Sequence, residues 1–215
     1  MDLKQTQKVD PLKKQVESGV KTQGLSPMDA PDAFEPPHLD AVPVSEMHPF
    51  LQNLVKEHVE FVEQLAAFEK ALHEIPEKGI TKDVDKGIRD FFHYFDHHFT
   101  EHHRLEDAKL FPLLKKVLPK TADYMKGSDA LSPVEVMEED HVKAMQLAAV
   151  TFNFFGLVSR LPDPKSQLLV LDAALQQGKE LVELMRIHIF REDNIIFSSA
   201  QKHLEKETLD KMMEH

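Results

Sequence analysis

The sequence predicts an all-α protein, an antiparallel up-down-up-down four-helix bundle with a Pro-rich N-terminal extension and a short C-terminal helix. Three observations lead there. Four long segments place apolar residues three and four apart, the helical period. Their boundaries carry proline and capping signals, and most connections are short. No stretch alternates with the period of a strand.

Residues 1–44 hold Pro11, Pro27, Pro31, Pro36, Pro37 and Pro43 and little periodic apolar content, so they read as an extended, partly disordered segment in which only residues 3–17 could form a short helix. The first bundle helix is expected over residues 45–73, stopping before Ile75-Pro76 and Gly79. The second begins near Thr81 or Asp83 and reaches Pro112, where it must kink or end. Residues 119–131 form the one longer link. Ser132-Pro133-Val134-Glu135 is a capping box with proline at the first helical position, opening a third helix that runs to about Arg160. Asp163-Pro164 opens a fourth that runs to about Ala200, and residues 201–215 read as a short polar helix. The bundle therefore occupies residues 45–200.

The 215 residues carry 26 Lys+Arg against 37 Asp+Glu, a formal charge of −11 with histidine neutral. That acidity argues against nucleic acid or an anionic membrane as partner, since both need basic patches. No apolar run approaches the roughly 20 residues of a spanning helix. The opening MDLKQTQKVDPLKKQ lacks the apolar stretch of a signal peptide, so a cytoplasmic protein is expected. Zero cysteine removes disulfides, thiolate metal sites and cysteine nucleophiles. The abundant chemical resource is histidine, with 13 residues.

A helical wheel sorts them. With His102 at zero and about 100° per residue, Val84, Ile88, Phe91, Phe95 and Leu113 fall within about 40°, so His102 sits mid-stripe. Glu106, one turn on, points the same way, and His98 flanks it one turn back. His93 and His97 project from the opposite face and His103 sits near the boundary, so most of this cluster reads as solvated surface. His58 lies among Leu51, Leu54, Val62 and Leu65; His141 among Val134, Met137, Met145, Ala148, Phe152 and Phe155. His188 lies among Leu181, Leu184 and Ile195, with Glu192 one turn onward. Each helix thus centres one imidazole on its apolar face, and two add a carboxylate. Lys109 and Arg191, on the stripe edges, offer the structural alternative of ion pairs with Glu106 and Glu192. Such pairs would leave four inward imidazoles unexplained.

The pattern is written twice. His102-His-Arg-Leu-Glu106-Asp-Ala-Lys-Leu-Phe111 aligns with His188-Ile-Phe-Arg-Glu192-Asp-Asn-Ile-Ile-Phe197, and upstream lie Glu57-His58 and Asp140-His141. Two such hairpins packed face to face give a pseudo-two-fold site of four imidazoles and two carboxylates. Six ligands exceed one tetrahedral zinc and are too nitrogen-rich for calcium or magnesium. Iron, manganese, zinc or copper suit this donor set. Duplication favours two ions, each taking two histidines and bridged by the glutamates, with about two coordination positions left open.

This constellation, with His-His-x-x-Glu-Asp-x-x-Leu-Phe-Pro at its centre, resembles the hemerythrin-like family, the HHE cation-binding domains, over about residues 45–200. The resemblance implies a four-helix bundle holding two Fe ions as a non-haem di-iron centre with carboxylate and oxo or hydroxo bridges. Carried over by position, the ligands are His58, His102, Glu106, His141, His188 and Glu192. Oxygen-carrying members have His-x-x-x-His on the third helix and close with His-x-x-x-x-Asp. Here Met145 takes the third-helix partner position and the last motif is His188-x-x-x-Glu192, which sets this chain apart from reversible carriers. The resemblance instead implies binding of O2, and reduction of O2, peroxide (H2O2) or nitric oxide (NO), with non-catalytic iron storage or sensing as the alternative. Repair proteins of this group carry an N-terminal Cys-containing domain, for which this sequence has no cysteine. His98 is a candidate for an extra ligand or a supporting hydrogen bond, and Tyr94 reads as structural.

Overall fold

Caps and prolines set where the helices begin. The computed structural model describes residues 41–118 and 131–213, and among these the regular structure is helical with no strand. The expectations for the N-terminal extension up to residue 40, including the short helix over residues 3–17, and for most of the 119–131 link lie outside the described residues.

Helix α1 spans Pro49–Lys78. Its N-cap is His48, whose ring accepts from the Phe50 N–H, while Ser45, the expected start, falls in a short 3-10 turn over Val44–Glu46. The helix continues past Pro76, because a proline this close to the end forfeits little further helix. It stops at Gly79, whose φ of +70° favours glycine and whose N–H donates to the Ile75 carbonyl.

Helix α2 covers residues 82–117 and is capped by Thr81, whose hydroxyl accepts from the Val84 N–H. Two π turns interrupt it, Phe95–Phe99 and Glu106–Leu110. The second explains why Pro112 neither ends nor breaks the helix. The wider turn displaces the carbonyl that the proline ring would otherwise strike, and helical structure runs on to Val117.

Helix α3, Pro133–Val158, opens on the expected capping box, with Ser132 and Glu135 bonding each other's backbone at 3.2 and 2.7 Å. Helix α4 covers residues 164–203; it is capped by Asp163 and carries a third π turn at Glu192–Ile196. Helix α5, Lys206–Met213, is amphipathic rather than simply polar. It buries Leu209 and Met212, and its Asp210 meets His48 Nε2 at 2.9 Å.

Cross-helix contacts fix the arrangement. On α1 and α2, His58 meets His102, Phe61 meets Phe99 and Phe68 stacks on Phe91, so the two run in opposite directions. The same descending order relates α2 to α3 through Phe92–Phe152 and Lys115–Glu138. It relates α4 to α1 through Arg186–Glu69 and Asp193–His58. With α3 and α4 joined by a short turn and meeting at His141 and His188, the four helices close an antiparallel bundle.

Two apolar clusters fill its ends. One gathers Phe61, Phe68, Leu72, Phe91, Phe95, Leu181 and Met185; the other gathers Leu51, Leu54, Phe111, Leu114, Met137 and Phe197. Between them along every helix lies a belt of buried polar side chains. Several wheel assignments shift in three dimensions. Val62, Met145 and Phe152 are exposed, and Ala144, Leu147 and Thr151 take the inward positions on α3. On α2 Leu113 is only partly buried, while Leu110, Phe111 and Leu114 are fully so, because the π turn advances the inward face by about one residue. Among the described residues no helix is long and apolar enough to cross a membrane.

Candidate metal centre

The belt contains His58 from α1, His102 and Glu106 from α2, His141 from α3, and His188 and Glu192 from α4, none more than 6% exposed. All six side chains expected to converge are brought together. The imidazoles form two matching pairs. His58 and His102 have ring centroids 4.8 Å apart at 52°, and His141 and His188 are also 4.8 Å apart at 62°.

Both carboxylates reach both pairs. One Glu192 oxygen lies 3.2 Å from His58 Nε2 and the other 3.1 Å from His188 Nε2. Glu106 stands 3.4 Å from His102 Nε2 and 3.5 Å from His141 Nε2. Neither oxygen of either glutamate makes a well-formed hydrogen bond. Lys109 and Arg191 do not neutralise them: Lys109 donates to the Met212 carbonyl and Arg191 to Asp140. The alternative of ion pairs with Lys109 and Arg191 is thereby removed. Two carboxylates in such surroundings cost several kcal/mol unless a cation or protons compensate them.

The outer nitrogens have a different environment. His58 Nδ1 donates to Asp193 at 2.7 Å, His102 Nδ1 to Glu57 at 2.6 Å and His141 Nδ1 to Asp107 at 3.0 Å. His188 Nδ1 sits 3.6 Å from Asp140, which Arg191 shares. An ionised carboxylate only accepts, so the three hydrogen bonds assign the proton to Nδ1 of His58, His102 and His141 and leave their Nε2 lone pairs facing inward. His58 Nε2 and His102 Nε2 then confront each other at 3.0 Å, a repulsive arrangement relieved by a cation or a shared proton. The buried, unbonded carboxylates and the converging nitrogens fit a metal ion.

The acids follow the repeat. Glu57 and Asp140, each preceding a histidine of the belt, face the ring on the next helix of the same hairpin, Glu57 through a hydrogen bond and Asp140 at 3.6 Å. Asp107 and Asp193, each following a belt glutamate, brace a ring of the other hairpin. In the metal-free chain burial pulls each imidazole down, but the surrounding carboxylates, Glu106 foremost for His102 and Glu192 for His188, outweigh it and raise His58, His102 and His141, and His188 to about 9. Burial, then the Glu192 charge, pushes Glu106 up. For Glu192 burial is outweighed by His188, His141 and His58, which hold it well down.

One residue departs from expectation. His103 is not on the surface but only 4% exposed, and donor atoms of His103, Glu106, His141 and His188 all lie within 4.8 Å of one another. His58, His102 and Glu192 form a second such group. The π turn at Phe95–Phe99 changes the phase of α2, which a uniform wheel misses. The repeat held the signal, since it pairs His103 with Ile189, an apolar residue that is also buried. His98, by contrast, is exposed and stacks on Tyr94, outside both groups. His93 and His97 are exposed, as expected.

Residues 50–200 match the family described as hemerythrin HHE cation binding domain. The iron-sulfur cluster repair protein YtfE of Cronobacter sakazakii is 30% identical over 118 residues, which is 54% of this chain and 48% of that protein. YtfE of Escherichia coli O81 is 28% identical over the same shares. The chain spans about half the length of these curated relatives. No solved structure matches it.

Proposed function

The chain belongs to the hemerythrin HHE cation-binding family, whose domain implies bound iron, and from that premise we propose that it is a non-haem di-iron protein that binds O2 and reduces O2, peroxide or nitric oxide. The observation that carries this reading is the pair of buried glutamates, each reaching both imidazole pairs and neither neutralised by a lysine or arginine. His58 and His102 would hold one ion and His141 and His188 the other, with Glu106 and Glu192 available to both. When bound, iron supplies electrons and open coordination positions for small oxidants.

The protein's own residues do the rest. Glu57, Asp107 and Asp193 hold three of the imidazoles in the tautomer that presents Nε2 inward. The two apolar clusters keep bulk water from both ends of the belt.

A second reading, iron uptake and release for storage, sensing or cluster repair, has its own support. A cavity of about 500 Å³ between α1 and α2 reaches His58 and His102 and is lined by Glu57, Glu60 and Glu101, which attract cations. The two readings separate by experiment. Metal analysis of freshly purified protein should return two irons per chain. Stopped-flow mixing of the diferrous protein with O2 or peroxide and a reductant should give repeated turnover; a single slow oxidation would favour the second reading. Absence of iron would refute both.

A further inference from the structure

The repeat is broken at one inward position. His102 and His188 correspond, as do Glu106 and Glu192, but His103 corresponds to Ile189. Both are buried, so the inward position that carries an imidazole in one hairpin carries hydrocarbon in the other. A buried imidazole without partners is expensive, and neither ring nitrogen of His103 makes a hydrogen bond. No carboxylate braces it. Its polar atoms therefore call for a partner that binds between the helices.

The ring's orientation indicates which kind. His103 lies face to face with His141, with centroids 3.6 Å apart and planes at 14°. In-plane lone pairs of two parallel rings do not converge on one ion. His141 and His188, at 4.8 Å and 62°, can converge. His103 is also closer to His188 (5.2 Å) than to His102 (6.0 Å), so it belongs to the His141–His188 half. Phe99, edge-on at 3.6 Å, fixes it from the far side.

We infer that His103 is a ligand-recognition residue whose ring N–H donates a hydrogen bond to a small anionic or diatomic ligand held on the His141–His188 side of the centre. This rests on the di-iron reading and adds what that reading lacks: the two metal positions are inequivalent, and the exogenous ligand is captured at the one beside His103. Ile189, its counterpart in the repeat, offers no donor.

Azide is the probe, titrated into the iron-loaded, diferric full-length chain and followed by its visible absorption, with iron content measured in parallel. The expected result for His103→Ile, which installs the residue the repeat already accommodates, is two irons per chain and azide binding weakened about tenfold or more, as for loss of a charge-assisted hydrogen bond. His103→Gln, which keeps an N–H donor, should recover most of that affinity. Unchanged azide affinity in His103→Ile with two irons retained would reduce His103 to packing and overturn the inference. Loss of one iron would make His103 a metal ligand and overturn it equally. A wild-type chain that takes up no iron overturns both this inference and the di-iron reading, whereas the two preceding outcomes leave the di-iron reading standing.

Discussion

Asp193 on α4 accepts a hydrogen bond from His58 Nδ1 on α1 at 2.7 Å, so the residue following one belt glutamate orients an imidazole of the other hairpin. Asp107 does the same for His141 at 3.0 Å. The two hairpins are thereby locked through the rings they contribute.

Asp193→Asn and Asp107→Asn should each weaken iron binding by about 10–100-fold, the usual effect of removing a carboxylate that braces a ligand histidine. Helix content should be unchanged, because both acids are partly solvent-exposed. Competition against a calibrated chelator measures this. Wild-type affinity in both variants would show that bracing plays no part.

Stability of the metal-free protein should fall as pH rises from about 6.5 to 9. His188, raised to about 9, keeps its proton in the folded chain where the unfolded chain has released it. The folded state then binds more protons, so unfolding becomes easier with rising pH, by a few kcal/mol across that window. His103, held well below 6.5, acts in the opposite sense at lower pH, placing the maximum near 6.5. Iron binding should strengthen over the same rise, since fewer protons must be displaced. Urea midpoints at several pH values, with and without iron, test both trends; a metal-free midpoint rising between 6.5 and 9 would contradict the paired imidazoles.

Glu106→Gln should have opposite effects on the two forms. Burial and the Glu192 charge disfavour the ionised Glu106 carboxylate, so removing its charge should stabilise the metal-free chain. The same change deletes a donor shared by both imidazole pairs, and iron content should fall below two per chain. Paired thermal melts and metal analysis check it. A lower melting temperature in the metal-free variant would show that the ionised carboxylate holds the bundle together.

Two helical glycines should respond oppositely to alanine. At Gly156 an added Cβ meets nothing within 4 Å, so Gly156→Ala should stabilise by about 0.5–1 kcal/mol. At Gly178 it would come within 2.9 Å of a Leu72 methyl and 3.4 Å of the Phe68 ring, and both side chains are fully buried. Gly178→Ala should therefore destabilise by about 1–3 kcal/mol despite its better helix propensity. Denaturant midpoints of the two variants give the comparison.

The helices and their caps were legible because their causes are local. Thr81, Ser132 and Asp163 each satisfy backbone N–H groups two or three residues ahead, and the chain's own order contains that information. The inward turn of His58, His102, Glu106, His141, His188 and Glu192 was legible for a related reason: an apolar stripe identifies the buried side before any partner is known. The errors cluster where local rules meet the interior. Pro76 and Pro112 suggested ends that the folded helices pass through, and Met145 and Phe152 suggested burial that the neighbouring helices leave unused.

From the residues alone came the four amphipathic helices, the duplicated hairpin and the six side chains that face inward, because helical period and capping are properties of neighbours in the chain. The bundle decided the rest. It introduced π turns at Phe95–Phe99, Glu106–Leu110 and Glu192–Ile196, brought His103 inside, and matched three of the four outer nitrogens with an acid from another helix. A one-residue change of phase costs little within an isolated helix. It is selected only when packing against three others makes one set of inward side chains better than the next.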